Sequence, residues 1–372
     1  MKGLIIWAQS DCRSMMGLYH EVRRQLSCPV VITLWKFPVN DSACDLRSQV
    51  GFSSEEFADI GMIPVGESFK RGLAVLDRHS GYSHLFAVYQ GSRNFRRLIV
   101  EAKRRGENVG VISESPCNMS TGIKGWLKRN IYLPLVLPRK ISTVAEAADF
   151  VINLSGDNSR PLRDIGWPAE KILPFGYFPP PIPGSRCINR NTAQEFHILV
   201  TGIMTWHRAP DTVLNALILL HKWGVKFRAT FTQKGPLLGR LKKMSEKHGL
   251  PIEFPGFLPM PELIKLYETC SVYVAAGRSE PWGMRLNDAL QCGAPLAVSR
   301  GMGGVKLVDK YGCGVAFDAD DYVDLAHKLR RMIQDVSFYR KVAACACEAA
   351  GGIFPAKMAE ALLKNISEFW NI

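Results

Sequence analysis

Ala275-Ala-Gly-Arg-Ser-Glu-Pro-Trp-Gly-Met-Arg-Leu-Asn-Asp-Ala-Leu-Gln-Cys-Gly-Ala-Pro-Leu-Ala-Val-Ser299 is the stretch around which the rest of the chain is read. It continues the apolar run from Ser271 to Ala275, whose β-branched and aromatic residues suit a buried strand. Glu280-Pro281 breaks that pattern and Gly283 permits a tight turn. Met284, Leu286, Ala289 and Leu290 then recur at helical spacing until Cys292-Gly293 ends the run. Strand, turn and helix in that order face unpaired helix-end N–H groups outward, where they attract an anion. Glu280 sits at the turn, and Asp288 lies eight residues on. That is about two helical turns, a spacing that allows both on one side. Two carboxylates grip the vicinal hydroxyls of a sugar or ribose, and free N–H groups take phosphate oxygens. Alone, Glu280 reads as a cap and Asp288 as a solvated helix residue; the combination, with the strand that follows, reads as a site.

At 372 residues the chain exceeds one ordinary core, so two domains are expected. A hydrophobic fraction of 47% with 22% charged residues excludes disorder. Its apolar runs fall short of the roughly 20 residues of a membrane helix. Met1 to Ser10 reads as a first strand and not as a signal peptide. The ten cysteines show no Cys-x-x-Cys spacing and read as reduced, mostly buried thiols, with Asn-x-Ser sequences such as those at Asn118, Asn153 and Asn365 incidental.

The first half alternates apolar runs and helical patterns, as a doubly wound α/β domain does. Leu4–Trp7, Val30–Trp35, His84–Tyr89 and Asn108–Ile112 read as strands, and Met15–Leu26 and Phe95–Arg105 as helices. Ligands of such sheets sit beyond the strands' carboxyl ends. That nominates Gln9–Gly17, Tyr89–Ser92 and Ser113–Pro116, and with them Gly17, Gln90 and Glu114, for contact with a ligand. The rhythm restarts at Phe196–Thr201, after the Pro/Gly-dense segment Leu173–Gly184, which reads as a stiff hinge. The expected boundaries are 1–178 for the first domain, 179–195 for the linker, 196–355 for the second domain, and 356–372 for a final helix.

Ser-Glu-Pro-Trp-Gly-Met, Asp-Ala-Leu-Gln-Cys-Gly-Ala-Pro and Val-Ser together resemble the Glu-x7-Glu signature of retaining glycosyltransferases with the GT-B fold, in particular glycosyltransferase family 4. The second carboxylate here is Asp288, one methylene shorter than the family's Glu. After Thr201-Gly202, Ile203 stands where the family has Arg, and Arg208 matches its Lys. Gly235-Pro236, Phe254-Pro-Gly-Phe257 and Gly301-Met-Gly-Gly304 resemble further landmarks of that domain. The resemblance implies two Rossmann-like domains facing a cleft, with the final helix crossing back to the first. It also implies a nucleotide-diphosphate sugar donor, UDP- or GDP-linked, no cofactor and no metal. Donor contacts fall on Gly202, Arg208, Phe257, Glu280, Trp282, Gly283, Met284, Arg285 and Asp288, and the acceptor side on Gly17, Gln90 and Glu114. Arg208, Glu280 and Glu114 are the candidate catalytic groups, and Arg285 the candidate to replace the missing cation. Asp318-Ala-Asp320 reads as a helix N-cap and not as a metal motif. His20 and His207 read as structural.

The net charge of +13 is concentrated: eleven basic residues lie between Arg93 and Lys140 against Glu101, Glu107 and Glu114. In Gly122–Lys140 they mix with Trp126, Leu127, Ile131, Tyr132 and Leu133, a composition suited to an anionic membrane surface. The plainer reading is a helix that buries those apolar groups. No stacking platform accompanies the charge, so nucleic acid is not expected. The function expected is sugar transfer to a saccharide or lipid-linked acceptor in bacterial cell-surface polysaccharide or lipopolysaccharide synthesis. The protein would be cytoplasmic, or peripheral on the inner face of the membrane. The alternatives are a sugar-nucleotide epimerase or hydrolase of the same fold, or a catalytically degenerate partner subunit.

Overall fold

The computed structural model describes residues 1–8, 13–35, 63–87, 90, 92–116, 122–188, 190 and 195–371. The chain divides into two compact units, one of Met1–Asn118, Gly122–Pro180 and Phe354–Ile372, the other built on Pro181–Ile353.

The first unit is a parallel sheet of β1 (Leu4–Ala8), β2 (Val30–Leu34), β3 (Ile63–Pro64), β4 (Ser83–Ala87), β5 (Val109–Ser113), β6 (Phe150–Asn153) and β7 (Ile172–Pro174). Their order is β3-β2-β1-β4-β5-β6-β7. β1, β4, β5 and β6 are buried along their whole length, which is why they read as apolar runs without alternation. The helix Arg93–Arg104 buries Phe95, Leu98, Ile99 and Ala102, and its start is capped by Ser92, whose hydroxyl accepts the Phe95 N–H at 3.3 Å. The proline-dense segment begins inside this sheet. Ile172 pairs with Val151 at the sheet edge, where the N–H that Pro174 lacks breaks no ladder bond. The division between the units falls after Pro180. The last helix, Pro355–Ser367, belongs to the first unit, and beyond it Trp370 donates to Asp149 at 2.9 Å.

The second unit is a parallel sheet of β8 (His197–Val200), β9 (Arg228–Thr232), β10 (Ile252–Gly256), β11 (Val272–Ala275), β12 (Leu296–Ser299) and β13 (Gly314–Phe317), ordered β10-β9-β8-β11-β12-β13. Arg190 anchors the approach to β8. Its buried guanidinium donates to the carbonyls of Cys270 (2.6 Å), Ile188 (3.0 Å), Cys292 (3.1 Å) and Tyr267 (2.5 Å). Three of these lie at helix carboxyl ends, where carbonyls have no partner of their own. The seven described cysteines are free thiols, and no described helix is long and apolar enough to cross a membrane.

Two outcomes follow from this packing. Arg190→Met strands several buried carbonyls and is expected to lower the unfolding free energy by roughly 3 kcal/mol in urea titrations. His197, bonded to Thr230 at 2.9 Å, has its pKa pushed from 6.5 down to about 4, by burial first and then by Arg228. The unfolded chain therefore binds more protons between those values, and stability is lost as pH falls from about 6.5 toward 4. His197→Gln is expected to flatten that loss in melting temperature measured against pH.

Candidate active site

The strand order of the second unit reverses between β8 and β11, leaving a crevice beyond their carboxyl ends. After β8 the chain passes Thr201 and Gly202 and makes a short 3-10 turn at Trp206–Arg208. It turns left-handed at Ala209 (φ 49°) and enters the helix Pro210–Lys222. After β11 it runs through Glu280 to Met284 and enters the helix Arg285–Gln291. Gly202, Ile203, Arg208, Glu280, Gly283 and Arg285 line one pocket between these segments. Its cavity volume is about 30 Å³, room for on the order of two waters.

Gly202 holds φ at 115°, and a Cβ there would lie 3.1 Å from Nη1 of Arg208. The left-handed backbone there favours glycine, and any side chain would crowd the Arg208 guanidinium. Arg208 reaches Glu280, Nη2 to Oε1 at 3.3 Å, with the carboxylate side chain 12% exposed. Arg285 enters from the helix start, its Nη1 lying 3.5 Å from the Tyr267 hydroxyl. Its pKa is pushed up, first by Tyr267 and, against burial, by Asp288, so its charge is secure. The hydroxyls of Tyr267 and Tyr273 flank Oγ1 of Thr201 at 3.2 and 3.1 Å. Burial raises both phenols, Tyr273 to about 12, which keeps them protonated and able to donate. His207, lowered by burial and then by Arg208, is held toward its neutral form.

The Glu280–Met284 turn is stitched to the Gly301–Gly304 loop. Glu280 N–H donates to Gly301 O (3.1 Å), Gly303 N–H to Glu280 O (3.1 Å) and Gly304 N–H to Trp282 O (3.0 Å). A Cβ at Gly301 would come within 2.5 Å of Gly277 O, and one at Gly304 within 2.6 Å of Trp282 O. These glycines are there for close approach of backbones. The N–H groups of Leu286 and Asn287 are taken up by Gly283 and Met284, and those of Gly283, Met284 and Arg285 make no hydrogen bond among the described residues.

Of the expected donor residues, Gly202, Arg208, Glu280, Gly283 and Arg285 are therefore brought together. Met284 stands at the N-cap of the helix and Asp288 one turn further, outside the pocket lining. Trp282 is 2% exposed, its indole N–H donating to Asn287 at 2.7 Å, so only its backbone can face a ligand. Phe257 is 41% exposed beyond β10 and does not line the pocket. In the first unit, Gln90 donates to Ser113 (2.9 Å) and to the Glu114 carbonyl (3.1 Å), while the Glu114 carboxylate accepts from Tyr177 at 2.6 Å. Gly17 is part of the helix Arg13–Gln25 and not of a loop. It lies in helix packing, where a Cβ would meet Pro180 at 3.0 Å and Pro355 at 3.4 Å. Of the other nominated loops, residues 9–12, 88–89 and 91 lie outside the described residues, as does Asn118.

The cap at Tyr322–Gln334 is Asp321, accepting from Val323 and Asp324, and not Asp318 or Asp320. Asp320 instead meets Arg278 at 2.6 Å. Arg278 also grips Asp211 through two nitrogens (3.2 and 2.8 Å), lies over the Trp206 ring at 5.0 Å, and donates its N–H to His207 O at 2.8 Å. It braces the two loops of the site. The motif reading missed it, and its place two residues before Glu280 was the available signal. No group of three or more potential metal ligands occurs among the described residues.

Residues 186–346 match the family model described as Glycosyl transferases group 1. Those residues are similar to a group 1 glycosyltransferase domain, over less than half of the chain. A GDP-mannose-dependent alpha-(1-6)-phosphatidylinositol dimannoside mannosyltransferase of Mycobacterium tuberculosis is 32% identical over 123 residues, 32% of this chain. The match spans about a third of that relative's length, 32%. Among solved structures, HepE of Anabaena in complex with UDP superposes with a TM-score of 0.67 at 14% identity, covering 99% of this chain and 100% of that one. The lipopolysaccharide outer core galactosyltransferase WaaB superposes with a TM-score of 0.68 at 12% identity, covering 99% of each. These likenesses establish the GT-B fold, two parallel-sheet α/β domains, which the signature residues had implied.

Within this matched region, Gly301→Ala sets a Cβ against the carbonyl oxygens of Gly277 and Arg278 and is expected to destabilise by about 2 kcal/mol, read from urea unfolding.

Proposed function

We propose that this chain transfers a sugar from a nucleoside-diphosphate sugar, UDP- or GDP-linked, to a saccharide or lipid-linked acceptor, with retention at the anomeric carbon. In this reading it works in the cytoplasm, in the synthesis of bacterial cell-surface polysaccharide or lipopolysaccharide. The observation that carries the reading is the convergence of Arg208, Glu280 and Arg285 on one pocket at the strand switch point of the region that matches group 1 glycosyltransferases. A UDP complex among the structural neighbours and a GDP-mannose-dependent relative support both nucleotides as donors.

As the bond from the sugar to the diphosphate breaks, negative charge develops on the phosphate oxygens. Arg208, Arg285 and the N–H groups of Gly283, Met284 and Arg285 would take up that charge, and the reading calls for no essential metal. Arg285 would stand in for the cation absent at Ile203. Glu280, exchanging Arg208 for sugar hydroxyls, would orient the donor, with Asp288 toward the ribose and Phe257 toward the base. Gln90 and Glu114 of the first unit are proposed for the acceptor.

Melting temperature is expected to rise with UDP or GDP and with the matching sugar nucleotide, since a ligand of the native state alone stabilises it. With donor and acceptor found, Arg208→Ala and Glu280→Gln are each expected to lower turnover roughly 10²- to 10³-fold with the fold retained. Equal donor breakdown with and without acceptor would favour a hydrolase or epimerase. Ile203, 55% exposed at the pocket where the family has Arg, motivates a degenerate subunit instead. That reading predicts no nucleotide-induced stabilisation, and unchanged glycan synthesis in Glu280→Gln.

A further inference from the structure

We infer that residues 122–140 of the first unit form a docking surface for an anionic lipid bilayer. The helix Gly122–Leu127 runs on as a π-helical stretch, Lys128–Val136, and then as the helix Leu137–Ala147. Core contacts are made late in this rod, by Leu137, Ile141 and Val144, with Tyr132 and Leu133 leaning on the same core. Ile123 (81% exposed), Trp126 (59%), Leu127 (44%), Ile131 (41%) and Leu135 (51%) are left uncovered. These five belong to the fourteen exposed large apolar residues described, and they fall within one run of thirteen positions, so they are a cluster and not scatter. Leu127, Ile131 and Leu135 recur every fourth residue. In a coil wound wider than the α-helix, that spacing keeps them closer to one line.

Charge identifies the occupant. From Ser115 to Ala145 there is no Asp or Glu, while Lys124, Lys128, Arg129, Arg139 and Lys140 lie among the apolar positions. None of the five meets a carboxylate among the described residues: Arg139 donates to Leu135 O at 2.5 Å, and Lys140 lies over the Tyr132 ring at 5.0 Å. The neighbouring helix Arg93–Arg104 differs. Lys103 pairs with Asp149 (2.6 Å), Arg104 with Glu101 (3.0 Å), and the following Arg105 with Asp77 (2.8 Å). The charge at the end of that helix is thus met by carboxylates within the unit, unlike that of 124–140. An uncovered apolar stripe with an indole, flanked by cations without carboxylate partners, suits the boundary between acyl chains and anionic headgroups. A second copy would set like charges against each other, and nucleic acid would leave the aliphatic side chains without stacking partners.

The docking stands apart from sugar transfer, and its test reads binding alone. The full chain is floated with vesicles of phosphatidylcholine, or of phosphatidylcholine with about one-third phosphatidylglycerol, at low and high salt. Flotation is expected only with the anionic vesicles, and weaker at high salt. Lys128→Ala/Arg129→Ala is expected to weaken it roughly fivefold per cation removed, and Trp126→Ser/Ile131→Ser to abolish it. Both pairs are at the surface, so an unchanged melting temperature separates lost docking from lost fold. Absence of flotation, equal flotation with both vesicles, or wild-type binding by the variants overturns the proposal. So does a wild-type dimer in sedimentation velocity that the Trp126→Ser/Ile131→Ser variant loses, because a second copy then covers the stripe.

Discussion

Two backbone segments approach so closely at Gly301 and Gly304 that no side chain fits between them, and the site in the second unit depends on that contact. An isolated parallel bridge between Glu280 and Met302 sets where the Glu280 side chain begins. Its carboxylate then falls 3.3 Å from Arg208, a residue from the loop beyond another strand whose guanidinium lies beside Gly202. Arg278 braces these loops from outside the pocket, with Asp211 on one and Asp320 on a third. An interior with little free volume resists small displacements, so the relative position of these groups is as stiff as the backbones that meet beneath them.

The two guanidinium groups of the pocket are held differently. Arg208 is about one-third exposed and lies against a carboxylate, a partner that an incoming anion or hydroxyl can replace. Arg285 lies against phenols that burial keeps neutral, with Thr201 bridging them. The Asp288 carboxylate also acts on Arg285, so the field of each cation is partly offset by an acidic side chain. Around the pocket charge is met within the unit, as at the end of the helix Arg93–Arg104, whereas the surface at 124–140 keeps its own.

The sheet was the most legible part of the chain. Strands buried on both faces must be apolar throughout, and runs such as Leu4–Ala8 and Leu296–Ser299 announce themselves. The Glu280–Met284 turn was legible too, since proline and glycine punctuate a chain locally. Where several acidic residues competed for one role, the reading slipped: Asp321 caps the helix and Asp320 serves Arg278. Gly17 looked like a loop residue facing an acceptor and proved to be a contact with prolines distant in the chain. Trp282 looked available to a ligand and is turned inward to Asn287.

The sequence by itself determined the alternation of strand and helix, the place of Glu280 at a turn, and the excess of positive charge, because hydrophobic period, chain breakers and composition are properties of neighbours. Tertiary structure decided which charges meet carboxylates, which glycines are steric necessities and which apolar residues stay uncovered. Those outcomes depend on distances between residues far apart in the chain, such as Arg278 and Asp211, or Gly17 and Pro180, and no local pattern encodes such a distance.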